Sequence, residues 1–173
     1  MELQKRFGFH IDITDDFGHW LAGFVAGEGC FYSHCFEQHG YRSVQSGFII
    51  ALRADDSAIL EQIKDSLHIG HLNYDDPPSA SKPRARYVVR KLADLYHVII
   101  PIFDRFPLRA KKATEFDIWK QIIEMHYHAM NNRLQRPRGR RGVHSYPDSF
   151  WDAILPLVDQ LANTRIFSSI QAG

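Results

Sequence analysis

Residues 19–31 read HWLAGFVAGEGCF, and their spacing limits what the rest of the chain can fold into. Gly23 and Gly27 lie four apart, each preceded by an alanine, Ala22 and Ala26, so a helix through them carries one face almost without side chains. Another backbone can approach such a face closely. At its lower end Glu28 stands between Gly27 and Gly29. Taken alone, a carboxylate at a helix end is an ordinary solvated group, and a small-residue face is an ordinary seat for a large neighbour. If two copies of this helix met side by side, their Glu28 carboxylates would come together. Two close carboxylates repel unless a cation lies between them, and oxygen-only ligation suits Mg2+.

The flanking pattern predicts helices alternating with hairpins. Asp15 and Asp16 are the N-cap candidates of the motif helix, which is expected to run through Val25 and to be stopped by Gly27 and Gly29. A strand follows from Cys30, with a turn over 37–40 and a second strand over 41–53. There Val44, Phe48, Ile50 and Leu52 share one parity, and Ser43, Gln45 and Arg53 share the other. On the first strand Tyr32, His34 and Gln38 are assigned to the exposed face. Asp55 and Asp56 open a helix with Ile59, Leu60, Ile63 and Leu67 on its apolar side. A second hairpin combines HLNY with RARYVVRK, where Arg84, Arg86 and Arg90 oppose Tyr87 and Val89. Three arginines on one strand face are hard to explain as packing.

The apolar run LADLYHVIIPIFDRF reads as a buried helix that Pro101 kinks or interrupts. A helix over about 112–128 carries a stripe of Phe116, Trp119 and Ile123. The run 131–142, NNRLQRPRGRRG, has five arginines and no acid and reads as a mobile basic loop. The last helix, over 147–163, starts with Pro147 in its first turn and has Phe150, Ile154, Leu157 and Leu161 as its stripe despite Pro156.

The net charge of +1 hides a segregation: residues 81–141 hold 15 of the 21 Lys and Arg and only 5 of the 20 acids. That is the footprint of a surface for a polyanion on an otherwise acidic body. No run approaches the roughly eighteen apolar residues of a membrane span, and the N-terminus has no long apolar segment, so a soluble intracellular protein without a membrane partner is expected. Cys30 and Cys35 are the only cysteines. Along a strand Cys30 and His34 share one face while Cys35 and His39 share the other, which disfavours structural zinc and leaves reduced, mostly buried thiols.

The stretch Leu21-Ala22-Gly23-Phe24-Val25-Ala26-Gly27-Glu28-Gly29 resembles the signature of the LAGLIDADG homing endonucleases. It departs at Ala26, where the family name has its first Asp, while Glu28 falls on the family's metal-binding acid. The order helix, hairpin, helix, hairpin, helix over 15–128 resembles the family's as well, and Phe106-Pro107-Leu108-Arg109-Ala110-Lys111-Lys112 is similar to its PL-x-x-KK stretch. The resemblance implies an α+β fold, αββαββα, with a curved four-stranded antiparallel sheet and extra C-terminal helices. It would be one domain over 1–173, with the core over about 15–128, the basic loop over 129–146 and the last helix appended.

By the same resemblance the activity would be sequence-specific hydrolysis of phosphodiester bonds in double-stranded DNA, by an intron-encoded homing endonuclease. One motif per chain implies a homodimer on a pseudo-palindromic site, paired through Leu21, Ala22, Gly23, Ala26 and Gly27, with Mg2+ or Mn2+ held at Glu28 and Gly27. Lys111 is the first choice to stabilise developing charge, Arg109 the second, and Lys112 a third. Tyr32, His34, Gln38, Arg42, Ser43, Gln45, Asn73, Arg84, Arg86 and Arg90 suit base edges, since Arg favours guanine and Asn or Gln adenine. Lys82, Lys112, Arg138 and Arg140 suit phosphates. Leu52 stands where some family members place a polar residue near the cleaved phosphate, with Arg53 as the nearest substitute. Glu28 favours the enzyme, and that departure leaves room for an alternative: an inactive protein of the same fold, either a maturase acting on intron RNA or a DNA-binding regulator. The compartment would be cytoplasmic in a bacterium and organellar for an organelle-borne gene.

Overall fold

The computed structural model describes residues 13–38, 41–75, 83–134 and 146–166. The chain forms an α+β fold with helices α1 (Asp15–Glu28), α2 (Ser57–Leu67), α3 (Leu92–Asp94), α4 (Ile100–Arg105), α5 (Ala110–Leu134) and α6 (Asp148–Ile166). Its strands are β1 (Gly29–Gln38), β2 (Tyr41–Arg53), β3 (His71–Asp75) and β4 (Arg84–Val89), in a four-stranded antiparallel sheet of order β1-β2-β4-β3. The chain divides into two compact units: Met1–Cys30 with Gly47–Arg109, and Phe31–Ser46 with Ala110–Gly173.

In the first unit α1 begins one residue earlier than the acid pair suggests. Thr14 is the N-cap, its hydroxyl accepting from the Phe17 N–H at 3.3 Å, and Asp15 and Asp16 occupy the first turn, where they complement the helix dipole. The helix also runs past Val25, through Gly27, and ends at Glu28 with Gly29 as its cap. Leu21, Ala22 and Val25 are buried, alongside Phe48, Ile50, Leu60, Ile63, Leu67 and Tyr87. Gly18 has its own packing role: a Cβ there would lie 2.2 Å from the Phe106 ring. β2 and β4 pair with Phe48 opposite Val89 and Arg53 opposite Arg84. Gly70, before β3, holds a φ of +73°, and a Cβ on it would meet the Tyr87 ring and the Val88 carbonyl at 2.8 Å.

The apolar run is divided as expected, with Pro101 in the first turn of α4. Residues Leu95–Ile99 widen into a π turn between α3 and α4, in which the Ile100 N–H reaches back five residues to Leu95 O. Proline supplies no N–H, and shifting the bonding pattern immediately before it absorbs that loss.

In the second unit α5 is longer than its apolar stripe suggests, and Asn131 to Leu134 are its last turn rather than the start of a loop. The rest of the basic run, including Arg138 and Arg140, lies outside the described residues, as does Lys82. Phe31 packs against Phe116 and Trp119 with ring centroids 5.4 and 5.0 Å apart, and the Trp119 indole N–H donates to Tyr32 O at 3.2 Å. α6 packs on α5 through Phe150, Trp151, Ile154 and Leu161, all buried, while Leu157 is only half-buried. No helix among the described residues is long and apolar enough to cross a membrane.

Candidate nucleic-acid interface

The helix α1 presents two different faces. Leu21 and Ala22, expected at a contact between copies, are instead buried in the core of their own unit. Their positions follow the Val25 side of the helix, so tertiary packing has already used them. Gly23, Ala26 and Gly27 are exposed, and a Cβ built on either glycine meets nothing within 4 Å among the described residues. Beside them an aromatic ladder that periodicity could have singled out runs up the helix: Phe17 to Trp20 at 5.4 Å and Trp20 stacked on Phe24 at 5.3 Å, with Trp20 exposed. Glu28 is the last helical residue, exposed, and makes no hydrogen bond or ion pair among the described residues.

A carboxylate in the last turn of a helix, with no basic residue near it there, opposes the negative end of the helix dipole. The last carbonyls of α1, Gly27 among them, have no helical donor. Carboxylate and carbonyl together are an all-oxygen donor set of the kind a hard divalent cation takes. Among the described residues no three His, Cys, Asp or Glu side chains cluster as metal ligands. In the second unit burial, and secondarily Asp159, push the Cys35 thiol up, so it holds its proton rather than acting as a thiolate ligand.

The polar face of the sheet within the first unit is read from the register. Arg53, Arg84 and Asp75 are aligned across β2, β4 and β3, and Ala51, Arg86 and Asn73 form the adjacent row. Arg53 and Arg84 thus face each other directly, an arrangement a sheet tolerates only against repulsion. Two carboxylates pair with these arginines: Asp55, read in the sequence only as a helix start, and Asp75, which sequence reasoning did not single out. Arg53 Nε donates to Asp55 at 3.0 Å, and Arg86 Nη2 donates to Asp75. Strand pairing alone would have signalled Asp75, since it lies opposite Arg84. Arg84 is exposed and forms no ion pair among the described residues. Arg90 lies one residue beyond the end of β4, so it does not continue the strand face.

Within the second unit His34 and Gln45 are joined across the hairpin at 3.1 Å on an exposed face, and the Tyr32 ring stacks 5.9 Å from His34. Ser43 is half-buried on the same parity as Gln45. The Gln38 side chain lies outside the described residues. Arg42 departs from the expected face, because its parity sets it opposite Ser43 and Gln45. Its guanidinium sits 5.8 Å over the Trp151 ring of α6 and 3.8 Å from Glu37. Lys112 departs too: its ammonium is 2.9 Å from Glu115, and both side chains are largely buried, so it serves an internal ion pair rather than a phosphate. Arg109 and Lys111 remain exposed around Ala110, whose φ of 51° is a rare conformation for a residue with a Cβ.

Comparison with known proteins identifies the family. Residues 21–123 match the LAGLIDADG endonuclease family, and the chain belongs to that family. It is 34% identical over 109 residues to an uncharacterized 50.9 kDa protein in ND4 intron 1 of Podospora anserina, covering 60% of this chain and 23% of that protein. The LAGLIDADG homing endonuclease I-GzeII, solved in complex with its DNA target, matches at a TM-score of 0.63 and 25% identity over 82% of this chain and 43% of that one. The homing endonuclease I-TnaI shares the fold at a TM-score of 0.64 and 21% identity, over 88% of this chain and 96% of its own. The chain thus spans under half of the Podospora protein and of I-GzeII, and nearly all of I-TnaI.

Proposed function

We propose that the protein is a sequence-specific double-stranded DNA endonuclease that works as a homodimer on a pseudo-palindromic site, with Mg2+ or Mn2+. One observation carries the reading: Glu28 ends α1 exposed and without a counter-charge among the described residues, next to the open face of Gly23, Ala26 and Gly27. The Glu28 carboxylate and the Gly27 carbonyl would hold the metal, which supplies Lewis-acid stabilisation of the charge developing on a phosphodiester. Lys111, with Arg109 as the next choice, would be the basic side chain that stabilises developing charge. Arg53, Asn73, Arg84 and Arg86 in one unit, and Tyr32, His34, Ser43 and Gln45 in the other, supply the donors and acceptors that base edges need. The site of action is where the DNA lies, the cytoplasm of a bacterium or an organelle.

A second reading is supported by the intron location of the Podospora relative. The same fold would then bind nucleic acid without cutting it, as an RNA maturase or a DNA-binding regulator. Selecting bound and cut sequences from a random duplex library, with and without Mg2+, separates the two. The wild-type chain is expected to bind and cut a preferred site, and Glu28→Gln to bind that site while cutting it slower by several orders of magnitude. Tight binding without cutting in either Mg2+ or Mn2+ would replace the nuclease with the binding protein. Equal cutting by Glu28→Gln would overturn the metal assignment.

A further inference from the structure

We infer that Asp75 is a specificity-determining positioning residue, which holds the Arg86 guanidinium on the polar sheet face so that Arg86 reads a guanine. The inference rests on the DNA-binding reading above. The register sets Asp75 opposite Arg84 and sets Arg86 opposite Asn73, yet the ion pair forms along the diagonal, between Asp75 and Arg86. Arg84 is left exposed and Arg86 is tethered. Both side chains of the pair are 41% exposed, so the pair is screened by solvent and adds little to stability. A carboxylate on a face that meets polyanionic DNA is moreover repelled by phosphates. Non-specific attraction to phosphates therefore does not account for Asp75 on this face.

Positioning does account for it. The Arg86 Nε is buried and has no hydrogen-bond acceptor among the described residues, and Nη2 donates to Asp75. The edge formed by Nη1 and the second hydrogen of Nη2 is what remains to grip O6 and N7 of a guanine together. Fixing the long arginine side chain before DNA arrives lowers the rotamer freedom lost on binding, and it forbids the alternative poses through which a free arginine accepts other bases. Arg84, without such a tether, makes the more tolerant base contact.

The test is selection from a random duplex library at fixed salt with wild type, Asp75→Asn, Arg86→Ala and the double variant, reading the preference at every position. Asp75→Asn is expected to lower discrimination at one base pair per half-site by roughly tenfold. Arg86→Ala is expected to lose preference at that same base pair, and the double variant to lose no more than Arg86→Ala alone. Uniformly tighter binding by Asp75→Asn, with every preference unchanged, would show that Asp75 only subtracts charge and would overturn the inference. So would effects of Asp75→Asn and Arg86→Ala at different base pairs. If wild type itself enriches no sequence, the DNA-binding reading falls and this inference with it, an outcome distinct from enrichment that Asp75→Asn leaves intact.

Discussion

Lys111 and Lys112 are adjacent in the chain and have opposite surroundings. Lys111 is exposed at the start of α5, whereas the Lys112 side chain, only 16% exposed, is paired with a Glu115 side chain that is 8% exposed. Removing one partner of such a pair leaves the other charge buried and uncompensated. Lys112→Met is therefore expected to destabilise the fold by about 3 kcal/mol, read as a lower urea midpoint. Lys111→Met should leave that midpoint in place and lower cutting by about 10² to 10³. Equal loss of stability in both would contradict the assignment. Tyr87 gives a pH prediction at the same scale. Burial, and secondarily Asp94, raise its pKa, so the folded chain holds the phenol proton after the unfolded chain has released it. Its stabilising contribution is present below an ordinary tyrosine pKa of 10.0 and is lost as pH rises above it. Tyr87→Phe should flatten the alkaline fall in unfolding free energy. It should also cost about 1 kcal/mol at neutral pH, through the hydrogen bond to Ile69 O that it deletes.

At the scale of an element, α1 carries glycines of two kinds. Gly18 admits the Phe106 ring, so Gly18→Ala should destabilise by about 1–3 kcal/mol through overpacking. At Gly23 and Gly27 an added Cβ meets nothing within 4 Å among the described residues, so there is room at the backbone for a larger residue in the protomer. Gly23→Leu and Gly27→Leu should each keep the unfolding temperature and convert a dimer to a monomer in light scattering, because the bulk falls where a second α1 would approach. A wild-type chain that is monomeric with and without DNA at micromolar concentration would remove the basis of this prediction. The exposed Trp20 and the half-buried Phe24 border the same face, and burying them against a second copy would favour pairing by the hydrophobic term.

For the molecule as a whole, the relevant quantity is the uneven distribution of charge, with 15 of 21 basic residues inside 81–141. If that segment neutralises phosphates, the logarithm of the DNA-binding constant should fall with the logarithm of salt at a slope of about 0.9 per phosphate contacted. Changing the five arginines of 133–141 to glutamine should flatten the slope and leave base preference intact. Arg84→Ala would change affinity with the slope if it meets a phosphate, and preference if it meets a base. Affinity that is the same at low and high salt would exclude the electrostatic account.

The sequence by itself determined the family, the alternation of helices and hairpins, and Glu28 at the end of a small-residue helix, because spacing and alternation are local properties that repeat along the chain. It also determined that Ser43, Gln45 and Arg53 share a strand face, since parity requires no knowledge of partners. What only the tertiary structure decided is how each of these groups is used. Leu21 and Ala22 belong to the core, Arg42 to Trp151, Lys112 to Glu115 and Arg86 to Asp75. The reason is physical: burial and pairing depend on what folds against a residue. Two neighbouring lysines become an exposed side chain and one half of an internal ion pair when the second of them turns inward.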